Sequence, residues 1–234
     1  MKRAIFSALA ICVGLVACGG GSDSSPPLTP LPQPGPGRTL ASEPQTIEYY
    51  GDSTIRGYES GTGAQVATPA PLAFAQALPS SPSHTVINKG VDNQTACELL
   101  NADWAGIMSA SSATVVILNH GINDSRPNIG EDIPAYQSCL VQIARTAKNA
   151  GKYVIFETPN PVNIDRIGDY VVAMKEVAAQ EKVSVIDQYQ YLTTYLNGAS
   201  LYTICPDGLH PTQDIYILKG RNAAQVFVGL PLEP

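Results

Sequence analysis

The chain has 234 residues, 44% hydrophobic and only 15% charged, with a formal net charge of −6. That length holds one globular domain with a real core and is short for two large ones. The acidic balance excludes the basic footprint of a nucleic-acid binder and a polybasic patch that adsorbs to anionic lipid.

The N-terminus, MKRAIFSALAICVGLVACGGG, opens on Lys2 and Arg3 and then runs apolar or small up to Cys18. The run falls short of the roughly 20 residues of a membrane span, so it reads as a signal peptide over residues 1–18. Its end, Leu15-Val16-Ala17-Cys18, resembles the bacterial lipobox, whose cysteine is lipidated and begins the mature chain. An ordinary secretory signal cleaved nearby is the alternative. Losing Lys2 and Arg3 takes the net charge from −6 to −8. A Gly rather than an Asp after Cys18 resembles signals that permit export to the outer membrane, which implies a lipid-anchored protein of the bacterial envelope. Residues 19–45 are dominated by Gly, Ser and Pro without apolar period, and read as a disordered tether.

From Thr46 to Pro234 short β-rich runs alternate with helical stretches. Strands are expected at Ile47–Tyr50, Thr85–Asn88, Thr114–Leu118, Tyr153–Glu157 and Val183–Ile186. The third is continuously apolar, as a strand covered on both faces should be. Thr95-x-x-Glu98 has capping-box spacing, and Leu99, Leu100, Trp104, Ile107 and Met108 follow near helical period. Pro134 and Gly151 suit the first turn and the C-terminal cap of a helix over 133–150. Further helices are expected from about Ile167 to Glu181 and from about Thr212 to Phe227. The alternation predicts an α/β fold: a three-layer α/β/α sandwich with a central, mostly parallel five-stranded sheet. Of five cysteines, Cys97, Cys139 and Cys205 fall in the domain, which permits one disulfide. Cys97 with Cys139 is the expected pair, both lying on predicted helices early in the fold. The cysteines and histidines lack the spacing of a zinc site.

In such sheets ligands bind at the carboxyl ends of the strands, so the loops starting at Gly51, Asn88, Asn119 and Thr158 matter. The first reads Gly51-Asp52-Ser53, the second Asn88 to Thr95 (NKGVDNQT) and the third Asn119 to Ser125 (NHGINDS), while CPDGLHPT follows late in the chain. A serine becomes a nucleophile only with a base to take its proton and a third group to orient that base. Three histidines exist, His84, His120 and His210. His84 precedes a strand, at the wrong end of the sheet. His120 sits beside the site as a core or rim residue. His210 follows Asp207 by three residues, so the two can bond within one loop. That leaves a nitrogen for Ser53. Asn123 can offer an amide to an oxyanion, with backbone N–H groups at Ser53 and in the 88–95 loop. Arg56 and Tyr58 are either rim contacts or plain helix surface.

These four segments, in this order, resemble the blocks of the SGNH, or GDSL, hydrolase family, and most of all its small bacterial thioesterase and lysophospholipase members. The resemblance spans Tyr49 to the last helix and implies a flavodoxin-like sheet and a serine esterase. Ser53, Asp207 and His210 would form the triad, and Ser53, Asn93 and Asn123 the oxyanion hole. The family usually has Gly where Asn93 stands. Asn tolerates a left-handed backbone, which would keep its N–H usable. The implied chemistry is hydrolysis of a small-molecule, lipid or polysaccharide ester (or thioester) through an acyl-enzyme, with no cofactor. Two other readings remain open: a non-catalytic binding lipoprotein on the same scaffold, and an acyltransferase using the same triad.

Overall fold

The computed structural model describes residues 37–232. The expected signal peptide, the expected lipidation site Cys18 and the expected tether up to residue 36 lie outside the described residues. The rest of the expected tether is folded, which corrects the boundary at residue 45. Leu40 and Ala41 are buried in a short 3-10 helix, and the Leu40 N–H donates to the Leu230 carbonyl. Two apolar residues in a polar stretch suffice because Leu230 and Leu232 line the same cluster.

Five strands form the sheet: β1 Thr46–Gly51, β2 Thr85–Gly90, β3 Val115–Asn119, β4 Tyr153–Glu157 and β5 Ser184–Ile186. They lie in the order β2-β1-β3-β4-β5, all parallel, the flavodoxin-like order. Eight α-helices accompany them among the described residues. These are α1 Ser53–Arg56, α2 Ala70–Ala77, α3 Ala96–Asn101, α4 Trp104–Ala110, α5 Ile133–Asn149, α6 Ile167–Glu181, α7 Gln188–Leu196 and α8 Gln213–Phe227.

The strand pleat divides β3 between two cores. Val116 and Leu118 face Trp104, Leu140, Ile143 and Met174 of α4, α5 and α6. Val115 and Ile117 face Phe74 of α2 and Phe227 of α8. Every β3 residue is therefore buried, which is why its sequence runs apolar instead of alternating. Trp104 satisfies its indole N–H on the Ile143 carbonyl at 3.0 Å. Cys97 and Cys139 are joined, tying α3 to α5, while Cys205 is free and buried.

Punctuation explains most element ends. Thr95 and Glu98 make both bonds of the capping box that opens α3. The apolar period that follows spans two helices, because Asp103 turns left-handed and caps α4 through the Gly106 N–H. Neither α2 nor α7 was expected. The α2 sequence, APLAFAQA, has too little polar contrast to show a period. It is held by close approach to α8, where a Cβ on Gly220 would overlap the Ala70 carbonyl.

The β1 register brings the functional edge together. Gly51 pairs with Gly90 on one side and Asn119 on the other, so three strands end level.

Candidate active site

At that level edge β1 turns into α1. Asp52 caps the helix, its Oδ1 accepting from the Thr54 N–H and hydroxyl, both at 2.8 Å. Asp52 is fully buried and its Oδ2 has no partner. Burial pushes its carboxyl up, against the pull of the Thr54 bonds, Lys219 and His210. Ser53 follows, with its Oγ 3.0 Å from His210 Nε2 across 157 residues of sequence.

His210 is oriented within its own turn. Its Nδ1 lies 2.8 Å from Asp207 Oδ2, while Asp207 Oδ1 accepts from the backbone N–H of Leu209 and His210. Burial raises the Asp207 carboxyl, but the His210 side-chain and backbone bonds outweigh it and bring it down to about 2. An ionised carboxylate only accepts, so Nδ1 must donate, leaving Nε2 to accept from Ser53. Ser53, His210 and Asp207 therefore make one continuous hydrogen-bonded chain.

The second loop serves α1 first. Asn88 Nδ2 donates to the Ile55 carbonyl at 2.9 Å, at the end of that four-residue helix. A Cβ on Gly90 would land on the Arg56 backbone nitrogen, so only glycine lets β2 pass this close. Asn93 adopts φ 61, the left-handed conformation the sequence suggested. Its neighbour Asp92 forms an ion pair with Arg56.

The third loop supplies Asn123, buried, whose Nδ2 donates to the Gln94 carbonyl at 3.2 Å. One amide hydrogen is thereby used and the other stays available. Asp124 joins the two loops, accepting from the Ala96 and Gly121 N–H groups at 2.8 Å each. His120 is buried in the same loop, with Nε2 3.2 Å from the Gln94 amide oxygen. Desolvation pushes its imidazole down to about 3. It stays neutral and faces Gln94, not Ser53. His84 is away from this site, half-buried with its ring edge-on to Phe227.

Four more residues take their places only in the structure: Arg56 and Tyr58, which the sequence left as either rim contacts or plain helix surface, and Lys219 and Asn160, which it did not single out. Tyr58 stacks on His210, with ring centroids 4.2 Å apart at 28°, and Arg56 lies over the Tyr58 ring. Lys219, fully buried in α8, donates to Asn160 Oδ1 at 3.0 Å, and Asn160 donates on to the Leu209 carbonyl at 3.3 Å. Burial pushes the Lys219 amine down and the neighbouring Glu157 carboxyl up to about 7. In sequence, Lys219 is one polar residue on an amphipathic helix and Asn160 one of several loop amides, so neither carries a signal. No cluster of metal-ligating side chains occurs among the described residues.

The sequence model of the GDSL-like Lipase/Acylhydrolase family matches residues 49–217. The chain belongs to that family. It is a carboxylic ester hydrolase of the GDSL, or SGNH, type. Solved structures share its fold. Axe2, an acetylxylan esterase from Geobacillus stearothermophilus, is 19% identical, with TM-score 0.64 over 78% of this chain and 92% of its own. The lipase/acylhydrolase from Enterococcus faecalis is 22% identical, with TM-score 0.66 over 79% and 96%. LAE5, an alpha/beta hydrolase from the metagenome of Lake Arreo, is 18% identical, with TM-score 0.65 over 79% and 96%. No curated relative matches the sequence.

Proposed function

We propose that this GDSL hydrolase cleaves carboxylic esters by a Ser53–His210–Asp207 triad, as a lipoprotein of the bacterial envelope. The hydrogen-bonded chain Ser53 Oγ–His210 Nε2 and His210 Nδ1–Asp207 Oδ2 carries the reading. His210 takes the Ser53 proton as Oγ bonds to the ester carbonyl carbon, and Asp207 stabilises the resulting imidazolium. The oxyanion is received by the Ser53 N–H, the second Asn123 amide hydrogen and the Asn93 N–H. Losing one such donor costs about 10²–10³ in rate. As the tetrahedral intermediate collapses, the C–O bond to the alcohol breaks and His210 gives that oxygen its proton. Water then repeats the cycle on the acyl-Ser53, releasing the acid and restoring Ser53. No step calls on a cofactor.

Anchoring rests on the lipobox-like Leu15-Val16-Ala17-Cys18 and the Gly, Ser and Pro stretch behind it. One experiment addresses both parts. Membranes from cells expressing the full chain should hydrolyse p-nitrophenyl acetate, and Ser53→Ala should abolish this. Cys18→Ser should move the same activity into the soluble fraction. Activity that survives Ser53→Ala sinks the triad; activity that stays membrane-bound in Cys18→Ser sinks the anchor.

A further inference from the structure

Beside the Ser53–His210–Asp207 chain lies a cleft of about 460 Å³, lined by Arg126, Pro127, Asn128, Asn163, Ile164 and Asp165. Its volume is within the roughly 300–1,000 Å³ of small-ligand sites. Its two walls belong to the loops that carry the site. Arg126 stands three residues after Asn123, and its Nη1 lies 3.4 Å from Asn123 Oδ1. On the other wall the Asn163 N–H donates to the carbonyl of Gly208, within the Asp207–His210 turn.

The lining selects a chemistry. Asn128 and Asp165 make no hydrogen bond or ion pair with other described residues, and Arg126 spends only its one long contact on Asn123. A carboxylate, an amide and a guanidinium with unspent capacity offer acceptors and donors together. One positive and one negative side chain leave no net charge to select an ion. Pro127 and Ile164 alone are too little wall for a hydrocarbon chain, but they suit the C–H face of a small ring. At the rim stands Tyr202, 54% exposed, its hydroxyl 3.0 Å from Asn163 Nδ2 and its ring edge against Gly208. An exposed aromatic face next to carboxylate and amide groups matches a molecule with one apolar ring face and a rim of hydroxyls.

We propose that this cleft binds the alcohol half of the ester, and that this alcohol is a glycosyl unit with free hydroxyls beside the acylated one. The inference rests on Ser53 being the nucleophile. Neighbouring vicinal hydroxyls would bridge Asp165 and Asn128, so that the sugar, more than the acyl group, sets KM.

The test compares mono-O-acetyl xylobiose with p-nitrophenyl acetate, two acetyl esters that differ only in the alcohol. It uses the full-length protein in detergent and the variants Asp165→Ala and Asn128→Ala. Each variant should raise KM for the sugar ester about tenfold, the value of one lost hydrogen bond to a charged or amide group. The KM for p-nitrophenyl acetate, whose alcohol carries no vicinal hydroxyls, should rise much less than that for the sugar ester. Equal responses on both esters, or no response on either, overturn the cleft assignment. Ser53→Ala on p-nitrophenyl acetate judges the triad separately. Should the wild type be inactive on both esters, the triad reading falls and binding alone decides the cleft. In that case saturation-transfer NMR of unacetylated xylobiose must show binding that Asp165→Ala removes; absence of binding overturns the proposal.

Discussion

Tyr58 and His210 lie face to face with centroids 4.2 Å apart, and the Arg56 guanidinium covers the Tyr58 ring. An imidazole held only by Asp207 at Nδ1 can still swing about that bond. A flat ring against its face restricts the swing and keeps Nε2 on Ser53. Aromatic stacking of this kind is worth about 0.5–1.5 kcal/mol beyond area burial, or roughly two- to twelvefold in rate. Tyr58→Leu should therefore lower kcat on p-nitrophenyl acetate by that factor with KM unchanged. Tyr58→Phe, which keeps the ring, should restore kcat. Equal loss in both variants would mean that the hydroxyl matters and the stack does not. At this scale legibility depended on residue type. Ser53, Asp207 and His210 stood out because an activated serine needs those partners and only three histidines exist. Asn93 could be read as left-handed because asparagine tolerates that conformation, and its φ is 61. The stack of Tyr58 on His210 could not be read, since it depends on where α8 and its preceding turn place His210.

Among the elements, α1 is the one on which position is most finely set. Its four residues are trapped between the Asp52 cap, the Asn88 amide at Ile55 and the backbone of Gly90. A methyl at residue 90 meets backbone, not a side chain that can turn away, so the helix must shift and carry Ser53 with it. A displacement near 1 Å at a reacting group costs about 10²-fold. Gly90→Ala should fold, with unchanged far-UV circular dichroism, and lose activity on that order; wild-type kcat/KM in this variant would contradict the argument. Element ends with side-chain chemistry, such as the Thr95 and Glu98 capping box, were legible locally. The break between α3 and α4 was not, because Asp103 ends one helix and caps the next without interrupting the apolar period. Nor was α2, whose alanines are placed by what α8 leaves open.

For the whole molecule, burial of ionisable groups couples folding to pH. His120 is neutral when folded, with its imidazole pushed down to about 3 from an ordinary 6.5. Between those values the unfolded chain binds a proton that the folded chain refuses, so stability is lost as pH falls, by up to about 1.4 kcal/mol per pH unit. Glu157 acts in the opposite sense. Its carboxyl, raised to about 7 from 4.5, stays protonated in the fold, so it withdraws stability as pH rises through that window. The two oppose each other between about pH 4.5 and 6.5; below about 3.8 Asp207, held down to about 2, loses stability in the same sense as His120. His120→Asn, which keeps a donor for Gln94, should gain melting temperature relative to wild type as pH is lowered from 7 to 4. Parallel melting curves for the two proteins would show that His120 does not titrate on unfolding.

Local physics is legible along the chain without any tertiary contact. The parallel α/β alternation, the capping box, the end of β1 at a Gly-Asp-Ser turn and the Asp207–His210 pairing each need only a few neighbouring residues. Folding adds whatever depends on residues far apart in the chain. It closed the 3.0 Å contact between Ser53 and His210, and it drew Leu40 into the domain through Leu230. It also buried Lys219 beneath the His210 turn and opened the cleft between Arg126 and Asn163. These arise where separate loops meet at the end of one sheet, and sequence periodicity carries no term for the distance between loops.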